Sequence, residues 1–261
     1  MFNTTCMNAV IDTLMHHRSI RKFTDEKVPE SLIETLVRAG QQAPFTGQMY
    51  TVIVCTDEER KRSVAEYFEM AGRAPVFMLF CADFRKLEKF ITEKGRKNEM
   101  EEIALLILGV QDMAYMAQNV VTAAESAGLG TCFLGGALWV EELSEIFELP
   151  PRVVPVVAMV LGYPDQDPPV RPRIPLKYVL NYDAYHDLTD EEVREALQVM
   201  DAGLIREGYY KKLQAKIPVE HDEETYDTYG WGEHVSRKYG RAFTDIQGLV
   251  GKILKDKGMH L

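Results

Sequence analysis

The sequence predicts an α+β domain in which a mixed central sheet surrounds one long buried helix. Three observations carry that expectation. The runs 50–56, 75–82 and 153–161 are dense in β-branched, aromatic and other apolar residues, so they read as core strands. Residues 100–127 hold the longest helical signal, with no Pro, only Gly109 as a breaker, and apolar residues on almost every face, the pattern of a helix buried in a core. Strands and helices do not alternate regularly, which argues against a doubly wound parallel sheet.

Taken in order, residues 6–17 read as a helix leading into the basic segment His17-Arg18-Ser19-Ile20-Arg21-Lys22-Phe23. Pro29-Glu30 opens the next helix, since Pro is tolerated in a first turn, and Leu32, Ile33, Leu36 and Val37 follow helical spacing. That helix ends before Ala43-Pro44, because Pro disfavours a helical residue ahead of it. The strand Tyr50–Thr56 reads as buried. Asp57-Glu58-Glu59 then starts a helix with acids at its positive end. After the strand Pro75–Ala82, the charged and aperiodic 85–99 reads as a surface loop or a short helix. Gly128-Leu129-Gly130 ends the long helix, 131–136 is short and apolar, and 139–148 reads as a further helix. Pro155 within Val153–Leu161 argues for a sheet edge or a strand start. Five prolines between 164 and 175 make an extended surface connection. Residues 189–214 are helical and charged, 218–230 are loop, and 231–257 are two helices broken at Gly240.

Composition excludes several functions. With 30 Lys and Arg against 40 Asp and Glu, the net charge of −10 opposes non-specific binding to nucleic acid. No run of eighteen apolar residues suggests a membrane span, and the N-terminal residues lack the basic and apolar regions of a signal peptide, so a cytoplasmic location is expected. Cys6, Cys55, Cys81 and Cys132 are widely spaced with no C-x-x-C, which fits a reducing compartment and neither a disulfide scaffold nor a zinc site; no metal is expected. There is no phosphate-binding P-loop, no H-E-x-x-H and no G-x-S-x-G. Gly128-Leu129-Gly130 begins like a dinucleotide fingerprint, but Phe133 stands where its third Gly belongs, and it follows a helix rather than a strand.

What remains points to a phosphorylated, flat ligand. His16, His17, Arg18, Arg21 and Lys22 crowd five basic or potentially basic residues into seven positions of an acidic chain. Arg171-Pro172-Arg173 with Lys177 forms a second cluster on a Pro-stiffened segment. Arg forks match phosphate oxygens. In an extended segment His17, Ser19 and Arg21 share one face, a suitable monophosphate site. The Thr46-Gly47-Gln48 turn offers backbone and an amide that both donates and accepts, as a flavin pyrimidine edge requires. Gly135-Gly136 permits close backbone approach to a flat ligand.

The order R-S-I-R-x-F, then A-P-x-x-G-Q before a strand, then G-L-G-x-x-x-x-G-G after a long helix, then R-P-R-x-P resembles the FMN-dependent nitroreductase family, and within it the NADPH-preferring flavin reductase and nitroreductase subgroup. The resemblance is strong over about residues 9–180 and continues through Trp231-Gly232-Glu233-His234 and Arg241-Ala242-Phe243. It implies a nitroreductase-like fold, a homodimer, an FMN-binding core at 1–185 and a C-terminal helical extension at 186–261 that packs on core and partner. His17, Arg18 and Ser19 would hold the FMN phosphate, with Arg171 and Arg173 adding charge. Arg21 would lie toward the N1 and O2 edge of the ring as electrostatic support, with no side chain acting as a catalytic base. Phe133, Leu134, Gly135 and Gly136 would run along the ring, placing a backbone N–H near N5. Pro44, Phe45 and Thr46 would come from the other protomer, and Arg241 would contact nicotinamide or substrate.

The implied reaction moves two electrons from NADPH or NADH to nitroaromatic, quinone or flavin acceptors by a ping-pong mechanism. Where relatives carry Ser after Ala-Pro and Asn a few positions on, this chain has Phe45 and Gln48. The loop before Trp231 reads EETYDTYG and lacks the paired Arg of NADPH-preferring relatives. Other readings are a specialised chromate-reducing or dehalogenating flavoprotein, a non-catalytic flavin-binding protein, and an interaction module built on the acidic 186–230 segment.

Overall fold

The computed structural model describes residues 8–242 and 244–260, with the side chains of Trp139 and 241–247 outside the described set. The chain divides into two compact units, Met1–Pro168 with Leu249–Leu261, and Pro169–Gly248.

Helix α1 (Ala9–Met15) starts where the Asn8 side chain accepts from the Ile11 N–H. Helix α2 (Glu30–Gln41) follows Pro29, and β1 (Tyr50–Cys55) follows a loop. The Asp57 carboxylate caps α3 (Glu58–Ala65) by accepting from the Arg60 N–H at 2.8 Å. After the short α4 (Glu69–Arg73) comes β2 (Val76–Asp83), buried at every residue. Asp83 then caps α5 (Phe84–Glu93), so the start of the charged 85–99 stretch is a helix rather than a loop. The long helix α6 (Glu102–Ser126) leads to β3 (Gly130–Leu134) and a 3-10 turn over Gly135–Trp139. The expected 139–148 helix shrinks to α7 (Leu143–Ile146), because Glu148 adopts φ +51° and Pro150-Pro151 stop it. Strand β4 (Val153–Gly162) completes the sheet.

In the second unit α8 (Asp190–Glu207) begins at a capping box between Thr189 and Glu192. It is followed by α9 (Tyr209–Leu213) and α10 (Trp231–Arg237), which runs into a π-helical turn at Lys238–Ala242. Helix α11 (Thr244–Asp256) ends the chain's regular structure.

The sheet order is β1-β2-β4-β3, and all three pairings are antiparallel. The expected mixed sheet is therefore corrected. The parallel contribution is one bridge, Ser19 to Thr131, made by the segment after α1. Strand β1 is an edge strand and only half-buried, with Val54 37% exposed, because nothing pairs with its outer side among the described residues. Strand β4 is an inner strand, not an edge, and Pro155 lies near its start, the other of the two expected settings. The proline sits at the bulge where the register slips between Phe80 and Cys81, and β3 pairs with β4 only from Ala158 onward. Its missing N–H is thus not required on that side.

Both sheet faces are covered. On one, Val76, Met78 and Phe80 of β2 and Met159 and Leu161 of β4 pack against Met113, Met116, Ala117 and Val120 of α6. On the other, Phe77, Leu79, Cys81, Val160, Cys132 and Leu134 pack against Leu143 and Phe147. Phe77 and Phe80 are fully buried, each stabilising by about 1.5–3 kcal/mol relative to exposure. Helix α2 lies so close to α6 that a Cβ on Gly40 would stand 2.7 Å from Val120 Cγ2. Cys55, Cys81 and Cys132 are buried thiols that form no disulfide among the described residues.

Two expectations about burial change. Helix α6 is long and apolar enough to cross a membrane by length and composition, but one of its sides packs on the sheet and α2. The other is open: Ile103, Ile107 and Tyr115 are each about half exposed, so the helix is not covered all round by its own chain. In the tail, Ile253 and Leu254 are buried, and Leu254 and Val250 join Met49, Phe84, Leu105 and Val154 of the same chain. These apolar residues of α11 serve the chain's own core and do not argue for a dimer. Phe243 and the Ile246 side chain lie outside the described residues.

Candidate functional site

The basic segment is extended, as the alternation of its residues requires. The Ile20 N–H donates to the Thr131 carbonyl at 2.8 Å, and Phe23 bridges Pro164. Ile20 is 5% exposed and sits directly over Gly130, where a Cβ would come within 2.6 Å of it. Only Gly at 130 lets the segment lie this close to β3. With Ile20 turned inward, its neighbours Ser19 and Arg21 are partly exposed. Segment and strand run in the same direction, so Arg21 and Phe133 each lie two residues past the bridge.

Each predicted phosphate ligand has a distinct setting. His17 Nδ1 is 2.6 Å from Glu125 Oε1 near the end of α6, which fixes the ring and leaves Nε2 as its other polar atom. Arg18 Nη2 pairs with Asp167 Oδ1 at 2.7 Å, but Asp167 is 82% exposed, a rim contact of little strength. Arg18 Nε is buried with no hydrogen-bond partner. Arg21 Nη1 reaches the Ser19 carbonyl at 3.5 Å. Arg18, Ile20, Glu125 and Gly130 also line a cavity of about 230 Å³. A larger cavity of about 910 Å³ lies beside β1, lined by Val28, Ile33, Val52 and Val54, and holds none of the predicted residues.

At the end of β3, Phe133 is 37% exposed on the α6 side of the sheet, its ring edge-on to Phe80 at 6.5 Å. Leu134 points into the opposite core and offers a ligand only its backbone. A Cβ on Gly135 would meet nothing within 4 Å, so open space lies in front of that backbone; Gly136 follows in the same turn.

The loop between α2 and β1 exposes Pro44, Phe45, Thr46 and Gln48 while burying Ala43 and Met49 at its ends. Gln48 adopts φ +50°. The loop is held by Asp112 of α6. Its Oδ1 accepts from the Thr46 N–H at 2.5 Å, and its Oδ2 from the N–H groups of Gly47 and Met49 at 2.8 and 3.1 Å. Asp112 is 1% exposed. Burial, and then the Asp112 charge, pushes the neighbouring Tyr50 phenol up, so it stays protonated.

The remaining predicted residues lie in the second unit. Arg171 stands over the Tyr209 ring at 3.9 Å and 3.6 Å from Glu207 Oε2, with its own Nε buried and without a hydrogen bond. Arg173 Nη1 donates to the carbonyls of Arg171 and Pro172, both at 3.1 Å. The Arg241 side chain lies outside the described residues. The acidic 218–230 loop is internally paired. Asp222 receives both Nη atoms of Arg237 at 2.9 Å and Lys216 Nζ at 2.8 Å, and Arg237 foremost holds its carboxyl far below the usual carboxylate range.

The first unit thus brings the basic segment beside the start of β3 and fastens both the basic segment and the 44–48 loop to α6. Reasoning from sequence missed the two fasteners, Asp112 and Glu125. The signal for Asp112 was present: it is the one acid within the otherwise apolar and uncharged stretch 103–124. The residues present fit FMN. An arginine with an orphaned buried Nε suits a phosphate, and open space before a glycine-rich backbone beside an exposed aromatic edge suits a flat ring.

Comparison with known proteins agrees. Residues 14–163 match the family described as Nitroreductase family. The chain is 33% identical over 249 residues to an FMN reductase [NAD(P)H] of Bacillus subtilis (strain 168), covering 91% of this chain and 93% of that relative. It is 32% identical to an oxygen-insensitive NADPH nitroreductase of Salmonella typhimurium over 71% of this chain and 78% of that one. Among solved structures, the NADPH:FMN oxidoreductase from Vibrio harveyi complexed with NAD+ superposes with a TM-score of 0.76 at 26% identity, covering 96% of this chain and 98% of that chain.

Proposed function

The chain belongs to the nitroreductase family, and from that premise we propose how its residues carry the reaction of an NAD(P)H-dependent FMN oxidoreductase. FMN, when bound, would supply the two-electron chemistry between NADPH or NADH and a flavin, nitroaromatic or quinone acceptor. The observation that carries the reading is the orphaned Arg18 Nε on a segment that bridges β3, the strand that ends at the open Gly135 backbone.

His17, Arg18 and Ser19 hold the phosphate, with His17 oriented by Glu125. Arg171 and Arg173 are assigned to the same phosphate on the strength of the R-P-R-x-P motif. Arg21 places a positive charge toward the pyrimidine side of the ring, where negative charge accumulates on reduction. Phe133, Leu134, Gly135 and Gly136 line the ring with backbone, and Pro44, Phe45, Thr46 and Gln48 contribute from the 44–48 loop. Arg241, in the 186–261 extension, contacts donor or acceptor; residues 1–185 are the FMN-binding core. The protein works in the cytoplasm.

The active unit is a homodimer. The open side of α6, with Ile103, Ile107 and Tyr115, and the 55% exposed Phe45 supply the apolar surface that a second copy covers. A ligand that binds only the dimer stabilises association by mass action. The holo-protein is therefore expected to sediment as a dimer and to melt at a higher temperature than the apo-protein. An active holo-monomer at micromolar concentration contradicts this.

Initial rates test the reaction. One open face of the ring serves donor and acceptor in turn, so double-reciprocal plots are expected to be parallel. Intersecting lines, the mark of a ternary complex, contradict a shared face. NADPH is expected to exceed NADH by less than about tenfold, roughly 1.4 kcal/mol, because the loop before Trp231, EETYDTYG, carries no paired Arg for a 2′-phosphate.

A further inference from the structure

We propose that Asp112 is a positioning residue: it sets the conformation of the 44–48 loop before any flavin arrives and so presets the loop's contribution to the site. The proposal rests on the flavin-binding reading above.

A carboxylate that is 1% exposed is costly to keep ionised unless its oxygens are well satisfied. Here three backbone N–H groups, from Thr46, Gly47 and Met49, converge on it from one short stretch. Charge-assisted bonds of this kind are roughly twice as strong as neutral ones. They also constrain the chain in a particular way. Three of the four consecutive N–H groups from 46 to 49 are turned toward α6. The loop's exposed side chains, Phe45, Thr46 and Gln48, are left for whatever lies outside. Gln48, whose N–H Asp112 skips, adopts φ +50°, a conformation that is strained for a non-glycine residue. The neighbouring bonds to Asp112 hold that turn. No side chain of the loop needs to contact Asp112, so the effect on a ligand passes through the backbone alone.

Carrying the acid on α6 has a second consequence. The same helix packs on β2 and β4 and, through Glu125, orients His17. The loop's position is therefore referenced to the long core helix rather than to the neighbouring edge strand.

The test uses the full-length protein and FMN itself. Asp112→Asn keeps the shape but removes the charge and turns an amide NH2 toward backbone donors. Hydrogen exchange is expected to speed up at the amides of Thr46, Gly47 and Met49 while β2 stays protected, and the FMN dissociation constant is expected to rise about tenfold or more. Asp112→Glu, which keeps the charge, is expected to recover part of both. If exchange at the three amides rises and FMN affinity stays within twofold of wild type, the positioning role is overturned. If the wild type itself binds no FMN, the flavin reading fails instead, and the two failures are distinct. Should Asp112→Asn not fold, wild-type exchange decides. Protection of the three amides in apo-protein and FMN-loaded protein alike supports a preset loop. Protection that appears only with FMN overturns it.

Discussion

Replacing Arg152 with alanine is expected to destabilise the protein by about 1.5–3 kcal/mol, the size of a hydrogen bond to a charged group, because it breaks a part-buried ionic network. Its side chain is 15% exposed. Nε and Nη2 bind Glu88 Oε1 on α5 at 3.0 and 2.5 Å; Nη1 binds both oxygens of Glu102 on α6 at 3.0 and 2.9 Å and the Gly258 carbonyl at 2.8 Å. The backbone N–H of the same residue donates to the Lys257 carbonyl at 2.9 Å. One residue thus fastens two helices and the last turn of the chain to the start of β4. Alanine leaves Glu88 and Glu102 facing each other without a cation. Arg152 also has φ +69°, so glycine in its place relieves a backbone cost of about 1 kcal/mol that alanine retains. Chemical denaturation of the two variants checks both parts: Arg152→Gly should lose less than Arg152→Ala. A loss below about 1 kcal/mol for alanine would place the cluster among ordinary surface ion pairs.

Arg18→Ala is expected to weaken FMN binding by about 1.5–3 kcal/mol, the size of a hydrogen bond to a charged group. That is roughly a 10- to 150-fold rise in dissociation constant. The fold should survive, because among the described residues the ion-pair partner that Arg18 loses is the exposed Asp167. Asp167→Ala provides the opposite control. It removes the carboxylate that competes with phosphate for Nη2 and should leave FMN affinity unchanged or improved. Flavin fluorescence titration reads both. Wild-type affinity in Arg18→Ala would make the orphaned Nε a feature of a solvated turn.

Much of the fold was legible because local chemistry decides it. Asp57 and Thr189 cap the helices they were placed to start, and β2 is buried along its whole length as its continuous apolar run requires. Strand direction was not legible, since an apolar run reads the same whether its neighbour is parallel or antiparallel. Pro155 was informative, for it sits near the start of β4, where β3 does not yet pair. Helix α6 misled. Apolar residues on every face say that every face is covered, not that one chain covers them, and Ile103 and Ile107 stand open.

In the site, sequence motifs located segments but not their support. The basic segment and the start of β3 are adjacent because Ile20 packs on Gly130. That contact joins residues more than a hundred positions apart and leaves no periodic trace. Asp112 and Glu125 are ordinary acids by composition. Their roles follow only from where α6 brings them: one beneath a loop of unpaired N–H groups, the other against a histidine.

The most direct test of the account is the visible spectrum of the protein purified without added flavin, followed by anaerobic titration with NADH and with NADPH. The account predicts a bound flavin that is released on denaturation as FMN and is bleached fully by either donor. A protein without flavin, one carrying FAD, or bound FMN that neither donor reduces would contradict it.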